Sequence, residues 1–406
     1  MKKIKLLSLL LALALCLAAC TTQPADPTTV STIPTTQVTT EATTESTTAP
    51  TEPARESMVE STTPIKNIIL IIGDGMGPEH IKAGQLYDGK TYDFTGWQTA
   101  SINTAPITYT GEINSEPTDS AASATAMATG HLTVNKYVGM LPDGTELQTI
   151  MDVANAMNKA TGIVTTDTLL GATPSGFSAH TRSRSADKLL MSSQLESGVN
   201  LLCGTQDSAC MEKAAEIQEL GYAYCESYEE LSGTFGSDKA YWQLPLAGAD
   251  AEVDLADVAI DALNYLDQDT DGFVIMIEQG HIDKYCHNHE FLGAAQCSSS
   301  LNRTVEAVMN WLGDRTDTAV LITADHETGG LQVSDQSEYP NPETVTVNGE
   351  TKTLYYIFNA GGHTSTNVSL FVHGVTADFT KSELYQEEVL KNTGIFYLML
   401  DILNTK

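Results

Sequence analysis

The sequence predicts an α/β fold, a mostly parallel sheet covered by helices on both faces. Two observations carry this expectation. Continuous apolar runs such as Asn67-Ile68-Ile69-Leu70-Ile71-Ile72 lack polar alternation, as strands buried on both faces do. These runs are separated by helical stripes, the pattern of βα repetition. With 406 residues, 41% of them hydrophobic, the chain can also bury a sizeable core.

The elements follow in order. A strand is expected at 67–72, then a helix over 147–160 leading into a strand at 162–165. A second helix, 255–266, precedes a strand at 273–277, and a long helix over 290–313 precedes a strand at 319–323. Residues 345–356 read as a hairpin turning at Asn348-Gly349. A strand at 368–372 and a last helix from about 382 to 403 complete the pattern. In such sheets chemistry gathers just beyond the carboxyl ends of the strands.

The first 64 residues are expected to stand outside this fold. Lys2, Lys3 and Lys5 precede an apolar run at 6–17 that is too short to span as a stable helix, the pattern of an export signal over residues 1–19. It ends at Leu17-Ala18-Ala19-Cys20, which resembles a bacterial lipobox, so Cys20 is the expected lipid attachment point and the N-terminal anchor to a membrane. Residues 21–64 hold 16 Thr, 6 Pro and no aromatic residue. Together with Cys20 they read as an extended tether over 20–64 that cannot bury enough apolar surface to order itself. The catalytic or binding domain is expected over 65–406, in the cell envelope outside the cytoplasm. A formal net charge of −31 argues against nucleic acid as a partner, because phosphate backbones are met by clustered Lys and Arg.

Three apolar strands each lead into metal-ligating residue types. The first gives Asp74-Gly75-Met76-Gly77; another gives Glu278-Gln279-Gly280-His281-Ile282-Asp283 with His287 four residues on; the third gives Asp325-His326. A further element, Gly361-Gly362-His363-Thr364, precedes a strand. Each residue alone reads as a cap or a turn. Together, carboxylates and imidazoles at one sheet edge suit divalent cations. Between the first two strands lies Pro117-Thr118-Asp119-Ser120-Ala121-Ala122-Ser123, followed by further small residues. This reads as a closely packed helix with Ser120 at its N-terminus, where free amides favour an anion. Asp119 and Ser120 are also ordinary N-caps; opposite a metal cluster, however, Ser120 is placed as a nucleophile.

In the same order along the chain, Asp74-Gly-Met-Gly, Thr118-Asp-Ser-Ala-Ala-Ser123, Glu278 through His287, Thr323-Ala-Asp-His326 and Gly362-His-Thr364 resemble the alkaline phosphatases. The resemblance covers nearly all of residues 65–380. It implies a three-layer α/β/α sandwich and a phosphomonoester hydrolase that works through a phosphoserine on Ser120. It implies two zinc ions, one on Asp283, His287 and His363 and one on Asp74, Asp325 and His326. A third, magnesium-type site would use Asp74, Glu278 and Thr173. Arg184 matches the arginine that forks onto phosphoryl oxygens, with Arg182 as competitor, and Lys284 matches a lysine reaching the phosphate through water. The implied substrates are small phosphomonoesters, and a homodimer would be in keeping with the family.

One position departs from the pattern. Two residues before Thr173, where the family carries Asp or His, stands Gly171; the third site is then weaker, more hydrated, or helped by another group such as His180 or His281. Asp267-Gln-Asp269-Thr-Asp271-Gly272 with Glu278 fits an EF-hand loop, but a β run follows where a helix should, so a plain acidic turn is expected. Cys203–Cys210 and Cys286–Cys297 could close short disulfide loops in an exported protein, or remain buried thiols. His80 and His289 read as surface residues or as supports behind the ligands, and His131 is left open. Two rivals stand beside the main reading: a phosphodiesterase or sulfatase on the same two-metal frame, and a lipid-anchored binding protein without chemistry.

Overall fold

The computed structural model describes residues 55–61 and 63–405. The expected signal segment, Cys20 and most of the tether lie outside the described residues. The central sheet has eleven strands: β1 (Asn67–Gly73), β2 (Gln98–Asn103), β3 (Ala160–Thr165), β4 (Leu201–Thr205), β5 (Ala223–Cys225), β6 (Ala240–Leu244), β7 (Phe273–Gln279), β8 (Thr318–Thr323), β9 (Val368–His373), β10 (Tyr385–Gln386) and β11 (Val389–Lys391). Their spatial order is β10-β11-β2-β9-β8-β1-β7-β3-β4-β6-β5. From β8 to β5 all neighbours run parallel. Strand β9 runs antiparallel to both β2 and β8, and β11 returns parallel to β2.

Every residue of β1, β3, β7 and β8 is buried. Successive side chains on a strand point to opposite faces, so burial of all of them requires cover on both sides. The expected α/β/α sandwich is therefore the observed architecture. The helices Leu255–Leu266 and Phe291–Leu312 each precede a central strand. The first is stopped where Arg315 clamps Asp267 through two hydrogen bonds of 2.8 Å. That contact and the placement of Glu278 inside β7 make 267–278 a turn and a strand, not a calcium loop.

The hairpin pairs Asn341–Val347 with Glu350–Phe358. Asn348 (φ 53°) and Gly349 (φ 83°) form its turn, the left-handed pair that a two-residue hairpin of this twist needs. Its inner residues Val345 and Leu354 join Phe291, Leu331 and Val333 in a second, smaller apolar cluster.

Three expectations are corrected. The last helix is Thr393–Leu403 rather than a helix from 382. Glu387 and Glu388, both at positive φ, instead turn the chain between β10 and β11, and Leu390 buries fully against the sheet. The helix expected over 147–160 is only Ile150–Ala156, opened by a reciprocal Thr149–Asp152 capping box and closed before Asn158, at φ 56°. The packed chain also begins before residue 65: Met58 is fully buried, Val59–Glu60 pairs with Thr376–Ala377, and Arg55 meets Asp401 at 2.6 Å. Apolar burial at Met58 overrides the polar composition around it. Among the described residues, no helix is long and apolar enough to cross a membrane.

All ten residues of the Ser120–Thr129 helix are buried. Its alanines and serines allow the Ala172–Gly176 helix to lie against it; a Cβ added at Gly176 would fall 2.6 Å from Ala124 Cβ. Gly176→Val should therefore destabilise the fold by about 1–3 kcal/mol through overpacking. An unchanged midpoint in urea unfolding would show that this contact is not tight.

Candidate functional site

Strands β8, β1, β7 and β3 are neighbours, and their carboxyl ends supply one cluster. Asp74 follows β1, with its N–H bonded to Gln279 O at the end of β7 (3.1 Å). Asp325 and His326 follow β8. Glu278 lies within β7, and the helix His281–His287 that follows carries Asp283 and His287 one turn apart. Thr173 lies in the Ala172–Gly176 helix beyond β3. His363 opens a two-residue strand paired with Glu327–Thr328. Two sets of potential ligands result, Asp283/His287/His363 and Asp74/Asp325/His326, each with its donor atoms within 4.8 Å of one another.

Hydrogen bonds aim these atoms inward. Asp325 Oδ1 accepts the N–H groups of Gly75 and His326, both at 3.0 Å, which leaves Oδ2 buried with no partner. Asp74 Oδ1 and Thr173 Oγ1 are likewise buried and unpartnered. His363 donates Nδ1–H to the Thr118 carbonyl at 2.7 Å. Thr328 donates its hydroxyl to Asp283 Oδ1 at 2.5 Å and so accepts from His326 Nδ1 at 3.1 Å. Both Nε2 atoms are then lone-pair donors facing the cluster. His363 Nε2 lies 3.1 Å from His287 Nε2 and 3.5 Å from Asp283 Oδ1. His326 Nε2 lies 3.2 Å from Asp325 Oδ2 and 3.5 Å from Asp74 Oδ1.

Electrostatics give the same answer. Burial, then the charges of Asp325, Asp283 and Glu278, push the Asp74 carboxyl well above its ordinary range. Burial and Asp167 raise Glu278 to about 8, and burial raises Asp325. Burial, followed by the neighbouring His363, lowers His326. Buried like charges with orphaned oxygens are costly unless cations join them. The donor set, mixed carboxylate and imidazole, fits divalent metals.

Ser120 opens its helix, capped by Asp119 Oδ1 accepting Ala122 N–H at 3.0 Å. Its Oγ lies 3.2 Å from His326 Nε2, at the face of the second ligand set. Asp119 Oδ2 also meets Arg184 Nη1 at 3.3 Å, bringing that guanidinium to the helix N-terminus. Arg182 instead donates to the Asp143 carbonyl (3.1 Å), so of the two arginines Arg184 is the one that meets Asp119 beside Ser120. Lys284 is ion-paired with Asp167.

The structure thus gathers Ser120, Asp74, Asp283, His287, Asp325, His326 and His363, with Glu278, Thr173, Arg184 and Lys284 around them. Of the histidines suggested as help for the third site, His180 Nε2 bonds the Leu147 carbonyl (2.8 Å), and His281 Nδ1 meets the Thr166 hydroxyl (3.1 Å). His131 and His289 bond the carbonyls of Thr129 and Ala360, and buried His80 meets Cys286 Sγ at 3.1 Å. Cys203, Cys210, Cys225, Cys286 and Cys297 are all buried free thiols. Sequence reasoning missed Thr328, which orients His326 and Asp283, and Asp167. The position of Asp167 just past the end of β3 was the signal that could have found it.

The sequence model described as "Alkaline phosphatase" matches residues 65–207 and 227–393. Alkaline phosphatases 3 and 4 of Bacillus subtilis (strain 168) are 29% and 27% identical over 307 and 300 residues, covering 70% and 68% of this chain. The matches span 66% and 64% of those relatives' own lengths, a little under two thirds. Among solved structures, the alkaline phosphatase from the Antarctic bacterium TAB5 superposes with a TM-score of 0.71 at 21% identity, over 84% of this chain and 98% of that one. The family match over most of the chain, on a fold shared with solved members, places this protein in the alkaline phosphatase family.

Proposed function

We propose that the chain is a metal-dependent phosphomonoester hydrolase that releases inorganic phosphate through a phosphoserine at Ser120. Two zinc ions would be held by Asp283/His287/His363 and Asp74/Asp325/His326, and a magnesium-type cation by Asp74, Glu278 and Thr173. The observation that carries this reading is the approach of Ser120 Oγ to within 3.2 Å of His326 Nε2, on a helix N-terminus beside unpartnered ligand atoms. A passive binder has no use for a hydroxyl so placed. When bound, the cations would supply Lewis acidity and make hydroxyl groups acidic enough to attack near neutral pH.

The chain's own residues would do the rest. Ser120 Oγ forms the bond to phosphorus as the ester oxygen leaves, and water later releases phosphate from the serine. Asp119 holds Arg184 where its fork can bind two peripheral phosphoryl oxygens, the atoms on which charge concentrates in a loose transition state. Lys284, half-exposed at the rim, extends the positive field toward an incoming phosphate. Small soluble phosphomonoesters suit such a rim.

The basic and apolar segment 1–19, the Leu17-Ala18-Ala19-Cys20 motif and the Thr/Pro-rich stretch after it support export, lipidation of Cys20 and a position at the cell envelope. In its native host, Cys20→Ser should move the protein from the membrane to the soluble fraction; unchanged membrane retention would reject the anchor.

Hydrolysis of p-nitrophenyl phosphate should vanish on chelation and return with zinc. Ser120→Ala should cut turnover by about three orders of magnitude or more. A variant that keeps most of its activity would overturn the covalent route, and faster turnover of bis-p-nitrophenyl phosphate would favour a diesterase.

Metal removal should also expose the carboxylate cluster. Glu278 is held up from 4.5 to about 8, with Asp74 raised as well. The fold therefore prefers their protonated forms, and that stabilisation is present below about 4.5 and lost as pH rises towards about 8. Calorimetry of the metal-free protein should show its melting temperature falling across this range, and zinc should restore it at the alkaline end. A melting temperature that ignores both pH and zinc would refute the cluster's role.

A further inference from the structure

The loop from β3 to the short helix carrying Thr173 passes directly beside Glu278. Gly171 in that loop offers no side chain, yet the space a side chain would enter is occupied. A Cβ added at Gly171 would fall 2.9 Å from the Thr168 carbonyl oxygen and 3.2 Å from Asp167 Oδ2. Asp167 thus sends its carboxylate, from four residues upstream, into the volume that a residue at 171 would claim. Its placement is enforced: Asp167 N–H donates to Thr165 Oγ1 (2.9 Å), Thr205 N–H donates to its carbonyl (2.8 Å), and Thr168 N–H donates to its Oδ1 (2.7 Å).

Asp167 faces two functional groups at once. Its Oδ1 receives Lys284 Nζ. On the other side the Thr165 hydroxyl, which accepts from Asp167 N–H, donates to Glu278 Oε2. A Cβ added at Gly280 would lie 3.1 Å from Asp167 Cβ and 3.7 Å from Glu278 Cδ, so the two carboxyl side chains flank the same glycine. Beside them the Thr173 hydroxyl is buried without a partner. Two carboxylates and a hydroxyl suit magnesium, which keeps several waters and needs few protein ligands.

We propose that Asp167 is the positioning acid of this centre: it anchors the Lys284 ammonium and adds the carboxylate that Gly171 lacks to the cation site of Glu278 and Thr173. The inference rests on the hydrolase reading above and assigns a role to a residue outside its ligand sets. It is in keeping with Gly171, since a side chain there would press on both the Thr168 carbonyl and the Asp167 carboxylate.

The test uses the full chain loaded with zinc. Magnesium titrated calorimetrically into Asp167→Asn should bind roughly 10–100-fold more weakly than to the wild type, the usual loss when an outer partner of a metal site is removed. Zinc content should stay unchanged, and KM for p-nitrophenyl phosphate should rise as Lys284 loses its anchor. Asp167→Glu, which keeps the charge, should recover part of the magnesium affinity. Wild-type affinity in Asp167→Asn, no magnesium uptake by the wild type, or a parallel loss of zinc would each overturn the inference. The titration reads the site without turnover, so its failure is distinct from a protein that hydrolyses no phosphomonoester.

Discussion

Mutual repulsion among buried carboxylates is the constraint on which this structure turns. Asp74, Asp325 and Glu278 sit at the ends of adjacent parallel strands, fully enclosed, and each is pushed towards its neutral form. A fold selected for stability alone would not keep them together. The sheet tolerates the arrangement because each central strand is packed on both faces and cannot shift to relieve it. Single oxygens are satisfied by fixed donors, such as the Gly75 and His326 amides on Asp325, while their partners are left bare. That is a preorganised cation site, in which strand rigidity replaces the reorganisation a flexible site would need.

The position of Ser120 depends on the same close packing. Ser120 reaches the cluster because its helix is built almost wholly from alanine, serine and threonine. Ser123 donates its hydroxyl to the Asp325 carbonyl at 2.7 Å, tying the helix to the loop that carries Asp325 and His326. Asp119 caps the helix with one oxygen and holds Arg184 with the other. One carboxylate therefore sets the direction of both the serine and the guanidinium.

The chain's formal charge of −31 should repel phosphate esters at long range. Local positive charge at the rim, from Arg184 and Lys284, must reverse that field over a short distance, comparable to a Debye length. Both cations are themselves leashed to acids, Arg184 to Asp119 and Lys284 to Asp167. Such pairing costs some of the field but fixes where it points.

Much of this was legible in the residues. The parallel sheet followed from apolar runs without alternation, and the ligand types followed from their place just past strand ends. Local rules read the Asn348-Gly349 turn and the 255–266 helix because neither depends on distant contacts. The β10–β11 hairpin stands where the local pattern predicts helix, since its conformation depends on edge pairing with β2, which lies far away in sequence. Met58 and Arg55 were assigned to a tether because composition cannot show a partner strand at Thr376–Ala377 or an acid at Asp401. Residue types and their order were enough to single out the carboxylates and imidazoles that the fold brings together, because these are the groups that can ligate divalent cations. That Arg184 meets Asp119, and that Asp167 comes beside Glu278, were decided only by the tertiary structure, the latter when the sheet order set β3 next to β7. Both are relations across space, which a linear chain does not encode locally.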